Sequence, residues 1–111
     1  MKNRFEVAPK VYAKIEDSTY FYGNTKAFFL IVSESKDEDY FVGEPWSDVS
    51  VNLGGLRSNE MALNNDFVSF SSKALISKVL EYLTKDSVPS RYIQSGFVSF
   101  PIYELKDEFL Q

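Results

Sequence analysis

A chain of 111 residues falls in the ordinary range of one domain, so residues 1–111 are read as a single unit with a modest core. It has no cysteine and no histidine, which excludes disulfides, thiolate and Ser-His-Asp chemistry and the common zinc sites. With 12 Lys and Arg against 16 Asp and Glu, the net charge of −4 argues against a generic nucleic-acid binder and for a partner with a basic surface.

Residues 4–16 predict a first strand, with Val7, Val11, Ala13 and Ile15 on one parity and Arg4, Glu6, Lys10, Tyr12, Lys14 and Glu16 on the other. Pro9 suits an edge or a bulge there. Tyr20-Phe21-Tyr22 is a short second run, and Gly23-Asn24 reads as a hairpin turn. Thr25–Ser33 is the most apolar strand and is expected to be central. A charged loop over 34–39 follows, then a short strand at Tyr40–Val42 and a Gly43-Glu44-Pro45 turn. In Trp46–Leu53, Val49, Val51 and Leu53 alternate with Asp48, Ser50 and Asn52, which predicts one strand with an apolar face.

Residues 56–66 read as an irregular connection ending in an Asn64-Asn65-Asp66 turn, and Phe67–Phe70 as a short strand. Ser71 or Ser72 can cap a helix over 72–85, where Leu75, Ile76, Val79, Leu80 and Leu83 share a face. Residues 86–95 read as a loop, Phe97–Leu105 as a last strand that Pro101 places at an edge, and 106–111 as a helical turn. The fold class is α+β: an antiparallel sheet of about five to six strands with one main helix, about 72–85, packed on one face. Met1–Val7 has no apolar run of signal-peptide length, and Ala27–Val32 is far short of the ~20 residues of a membrane span. A soluble, cytoplasmic protein is expected.

Residues 34–48 hold Glu34, Asp37, Glu38, Asp39, Glu44 and Asp48 against Lys36 alone, a net charge of −5. A charge run of this kind is usually a solvated face. Its functional reading is a surface that imitates the phosphates of nucleic acid. Asp37-x-Asp39 opens like a calcium loop, but Val42 stands where the sharp turn needs glycine and Asp48 where the bidentate Glu belongs. Ser33-Glu-Ser-Lys36 lacks the companion motifs of a serine hydrolase, and Gly54-Gly55 lacks the rest of a phosphate loop. Ten Phe, seven Tyr and one Trp suit a sheet core; on an exposed sheet they could stack bases, next to a basic stripe of Arg4, Lys10 and Lys14 beside Tyr12.

Gly43-Glu-Pro-Trp-Ser-Asp-Val-Ser-Val-Asn-Leu53 and Ser95-Gly-Phe-Val-Ser-Phe-Pro-Ile-Tyr-Glu-Leu105 resemble two blocks of a family of small bacterial domains of unknown function. The family is carried by plasmids, conjugative elements and phages. The likeness spans residues 25–105; it implies a mobile-element setting and carries over no catalytic residue.

The resulting expectation is a non-enzymatic protein-binding module, with neither cofactor nor metal. It resembles the small acidic inhibitors of host defence, anti-CRISPR proteins among them, that block the basic nucleic-acid channel of a Cas effector or another host protein. The expected binding residues are Glu34, Asp37, Glu38, Asp39, Tyr40, Glu44, Trp46 and Asp48. The alternatives are a single-stranded nucleic-acid-binding module on the Lys10, Tyr12 and Lys14 face, or a structural domain.

Overall fold

The computed structural model describes residues 2–20 and 25–110. β1 (Phe5–Ala8), β2 (Val11–Thr19), β3 (Lys26–Ser35) and β4 (Pro45–Asp48) form a first antiparallel sheet in that spatial order. β5 (Ser50–Val51), β6 (Glu60–Leu63), β7 (Arg91–Ser95) and β8 (Val98–Glu104) form a second, ordered β5-β6-β8-β7. Two helices, α1 (Asn65–Phe70) and α2 (Lys73–Leu83), and a 3-10 turn at Asp107–Phe109 complete the α+β architecture. In place of the expected single sheet of five to six strands, the described residues form two four-stranded sheets.

The split is made at Val49. The predicted strand 46–53 leaves the first sheet there and enters the second. The Val49 N–H donates to the Phe28 carbonyl and its own carbonyl accepts from the Asn64 N–H, each at 2.9 Å. Ser50 then turns its hydroxyl inward. Its Oγ accepts from the Phe28 N–H at 2.9 Å and lies 2.8 Å from the Tyr20 hydroxyl. Val49 and Ser50 are both buried, so the strict apolar and polar alternation read across this segment does not hold.

The predicted first strand over 4–16 is a hairpin. Pro9-Lys10 turns the chain, with Lys10 at φ +63, and Phe5 pairs with Ala13 across it. β3 is central as expected, between β2 and β4. It runs on through Glu34 and Ser35, so the charged connection begins at Lys36. Tyr40–Val42 is not a strand: Tyr40 and Phe41 are irregular and Val42 enters a turn. Pairing of β2 with β3 extends to Thr19↔Lys26. The predicted run Phe21-Tyr22 and the Gly23-Asn24 turn lie outside the described residues.

Three further elements depart from expectation. The stretch read as irregular contains β6, whose four residues are all buried. Phe67–Phe70 is helical, because the Asn64 side chain accepts from the Asp66 N–H at 3.0 Å and starts α1 one residue later. The predicted loop 86–95 contains β7, which pairs with β8 through a Gly96-Phe97 turn. β8 is consequently not an edge. Pro101 is tolerated inside the sheet because β6 stops pairing at Ala62↔Ile102, so no ladder bond needs its missing N–H.

α2 forms as predicted, with Ser72 Oγ accepting from the Leu75 N–H at 3.1 Å. Its Leu75, Val79, Leu80 and Leu83 join Phe5, Ala13, Ile15, Phe28 and Leu30 of the first sheet and Met61, Leu63 and Tyr103 of the second in one core. Tyr82 stands edge-on to Phe5, with ring centroids 5.6 Å apart, and packs on Phe109 of the 3-10 turn at 5.3 Å. No helix among the described residues is long and apolar enough to cross a membrane.

Candidate functional site

The connection from β3 to β4 is short, charged and closely tied. Asp37 accepts from the Asp39 N–H at 2.9 Å through its carboxylate, and its carbonyl accepts from the Ser35 hydroxyl at 3.0 Å. The Glu44 carboxylate accepts from the Phe41 N–H at 3.1 Å. Gly43, at φ +93, donates to the Val32 carbonyl at 2.8 Å, and Val32 donates back to Glu44 at 2.9 Å. The Tyr40 ring lies 5.2 Å from that of Trp46, which packs on the core. What these contacts hold outward is apolar: Phe41 is 67% and Val42 64% exposed.

The eight residues expected to bind have distinct positions. Glu34 is engaged in a bidentate pair with Arg4, whose Nε and Nη2 donate to its two oxygens at 3.0 Å each. That guanidinium also lies 3.6 Å from the centre of the Tyr12 ring. Its hydrogen bonds hold the Glu34 carboxyl below the usual carboxylate range, with Lys36 adding to the effect. Asp37 and Glu44 are half-buried and serve the loop, while Glu38 and Asp39 reach solvent. Tyr40 and Trp46 are half-buried against each other and brace the loop from below. Asp48 pairs with Phe29, so strand spacing puts it ~17 Å along β3 from Glu34. The fold thus gathers Asp37, Glu38, Asp39 and Glu44 at one end of the first sheet and leaves Asp48 apart.

The same end carries a groove of about 570 Å3, lined by Arg4, Lys10, Tyr12, Glu34, Lys36 and Val42 among others. The Lys36 N–H donates to the Lys10 carbonyl at 3.0 Å, which brings the two lysines side by side. Neither ammonium has an ion-pair partner among the described residues. Lys14 of the predicted basic stripe instead pairs with Glu16 at 3.4 Å. The acidic loop therefore borders a basic hollow, and Val42 belongs to both. No cluster of three or more carboxylates with metal-binding geometry occurs among the described residues. Glu34 and Glu60 are both held down by arginines, the opposite of the raised carboxyl a general acid uses.

Sequence reading missed Phe41 and Val42 as the exposed pair. A Tyr-Phe-Val run reads as strand; only the adjacent Gly43-Glu44-Pro45 turn signals that the chain bends there. It also missed Lys36 as a partner of Lys10, because the two are brought together by pairing between β2 and β3. No family model, curated protein or solved structure matches the chain.

Proposed function

We propose that the protein is a non-enzymatic binding module whose β3–β4 loop docks on the basic, nucleic-acid-binding surface of another protein, as an inhibitor of host defence from a mobile element or phage would. The observation that carries this reading is the tied loop that holds Phe41 and Val42 in solvent beside Asp37, Glu38 and Asp39. A stable interface wants an apolar anchor that becomes desolvated, a charged rim that steers encounter, and little conformational freedom to lose. The loop supplies all three. Asp37 and Glu44 act on the loop itself, and Glu38 and Asp39 face the partner.

The test is capture from host lysate followed by measurement with the purified partner. Phe41→Ser is expected to weaken binding by about 2 kcal/mol, mainly through faster dissociation. Glu38→Lys with Asp39→Lys is expected to slow association and to flatten its salt dependence. Nucleic acid should compete with the protein for the partner. A partner whose affinity and salt dependence survive both variants would sink the reading.

A second reading rests on the unpaired Lys10 and Lys36 in the groove beside Tyr12. These groups suit a phosphate-bearing strand. Titration of single-stranded oligonucleotides at low salt decides it: no binding removes it, and binding lost in Lys10→Gln with Lys36→Gln supports it.

A further inference from the structure

Among the described residues the two sheets leave four edge strands, β1, β4, β5 and β7. Natural edges are blunted by charge, proline, bulges or shortness, because an open edge is a template for another strand. β1 has Glu6, a register shift and Pro9 at its end. β4 opens on Pro45, shifts register and ends on Asp48. β5 is two residues long. β7 has none of these devices. Its five residues pair with β8 in unbroken register, from Arg91↔Ile102 to Ser95↔Val98. Its single charge, Arg91, is turned back onto Glu60 and the Gly55 carbonyl, each at 2.7 Å.

Hairpin geometry says which backbone groups remain open. The two-residue turn Gly96-Phe97, with Gly96 at φ +63, makes Ser95 and Val98 the closing hydrogen-bonded pair. Alternation along the ladder then leaves Gln94↔Ser99 and Tyr92↔Pro101 as pairs without mutual bonds. The proline agrees with this, since Pro101 has no N–H to offer Tyr92. The N–H and C=O groups of Tyr92 and Gln94 therefore face away from β8. No strand lies beyond β7 among the described residues. Around this edge Tyr92 is 64% exposed, Val98 is exposed and Phe97 is fully exposed.

We propose that β7 pairs antiparallel with β7 of a second copy of this chain, in a register centred on Ile93. Tyr92 of one copy then stands opposite Gln94 of the other. Each of these residues donates once and accepts once, so the two-fold symmetry satisfies every outward group. Arg91 stands opposite Ser95, so no like charges face each other. Self-pairing is favoured here because residues 91–100 carry Arg91 as their one charge in a chain of net −4, so the copies repel least at this edge. The exposed Tyr92, Phe97 and Val98 flank the joined strands, and the two second sheets become one sheet of twice the width.

Sedimentation equilibrium over a concentration series, joined to amide hydrogen exchange, tests the pairing. The chain should approach twice its 12.7 kDa mass, with the Tyr92 and Gln94 amides gaining protection as the dimer forms. Gln94→Pro removes an N–H that β8 does not use. At concentrations low enough for both proteins to be monomeric it should leave the melting temperature in place, and it should weaken self-association by on the order of tenfold or more. A monomer at every concentration overturns the proposal, as does a dimer that Gln94→Pro leaves intact. Concentration-dependent protection on β1 or β4 rather than β7, or open-ended assembly beyond the dimer, overturns it too.

Discussion

Glu60 is the residue on which the second sheet turns. Its side chain is 3% exposed, and it accepts from Arg91 Nη2 at 2.7 Å, Arg91 Nε at 2.9 Å and the Arg57 N–H at 2.8 Å. The Arg91 hydrogen bonds hold its carboxyl below the usual range against the opposing effect of burial. A depressed carboxyl contributes stability above its ordinary value of 4.5, and that stability is lost as pH falls through the lower folded value. Arg91→Met strands a buried carboxylate and is expected to lower the midpoint of denaturant unfolding at neutral pH. As pH falls the gap to the wild type should narrow, beginning above the ordinary value of 4.5, because burial raises the stranded carboxyl and a proton relieves it there while the wild-type pair is still intact. Ser50 is the comparable residue at the crossing between sheets. Ser50→Ala leaves the buried Phe28 N–H without its acceptor and should cost ~1–3 kcal/mol by the same measurement. Neither role is legible in sequence: Glu60 sits in a stretch with no pattern, and Ser50 looks like the solvent side of an alternating strand.

Elements were legible where their own residues decide their state. α2 follows from a 3.6-residue apolar period and a serine cap, and the structure has it at Lys73–Leu83 with the Ser72 cap in place. Ser72→Ala removes that cap and is expected to lower stability by about 1 kcal/mol, read as a shift of the unfolding midpoint at constant slope. β3 follows from its continuous apolar run. β6 and β7 do not follow. Glu-Met-Ala-Leu has neither alternation nor strand propensity and is a strand because β5 and β8 flank it. Arg-Tyr-Ile-Gln-Ser is a strand because a two-residue turn folds it onto β8. The β3–β4 loop lies between these cases. Its Gly43-Glu44-Pro45 turn was visible, but not the internal bonds that push Phe41 and Val42 outward. Gly43→Ala places a side chain at φ +93 and is expected to cost at least ~1 kcal/mol, read as a shift of the unfolding midpoint.

At the scale of the whole molecule, the aromatic content sets an alkaline limit. Burial raises the Tyr20, Tyr82 and Tyr103 hydroxyls above the ordinary tyrosine value of 10.0. The unfolded chain therefore ionises first. The stability these groups lend is complete below their ordinary value and is lost as pH rises through the raised folded values. Thermal melts taken from about pH 9 to about pH 12 should show a steep fall beginning near the ordinary value. Tyr82→Phe should blunt it, with the ring pair to Phe5 kept.

Sequence alone determined what rests on composition and local period. The α+β class, α2, β3 as an apolar strand, the inward face of β2 and the acidic character of residues 34–48 all follow from residue type and near-neighbour spacing. The candidate acids were legible as a run, because charge can be counted. Tertiary structure decided how that run divides into paired Glu34, loop-building Asp37 and Glu44, exposed Glu38 and Asp39, and distant Asp48. It also decided the split into two sheets at Val49, the burial of Glu60, the groove that joins Lys10 to Lys36, and the open edge of β7. The physical reason is common to these cases: each depends on a strand partner far along the chain, and pairing between distant segments leaves no periodic mark in either one.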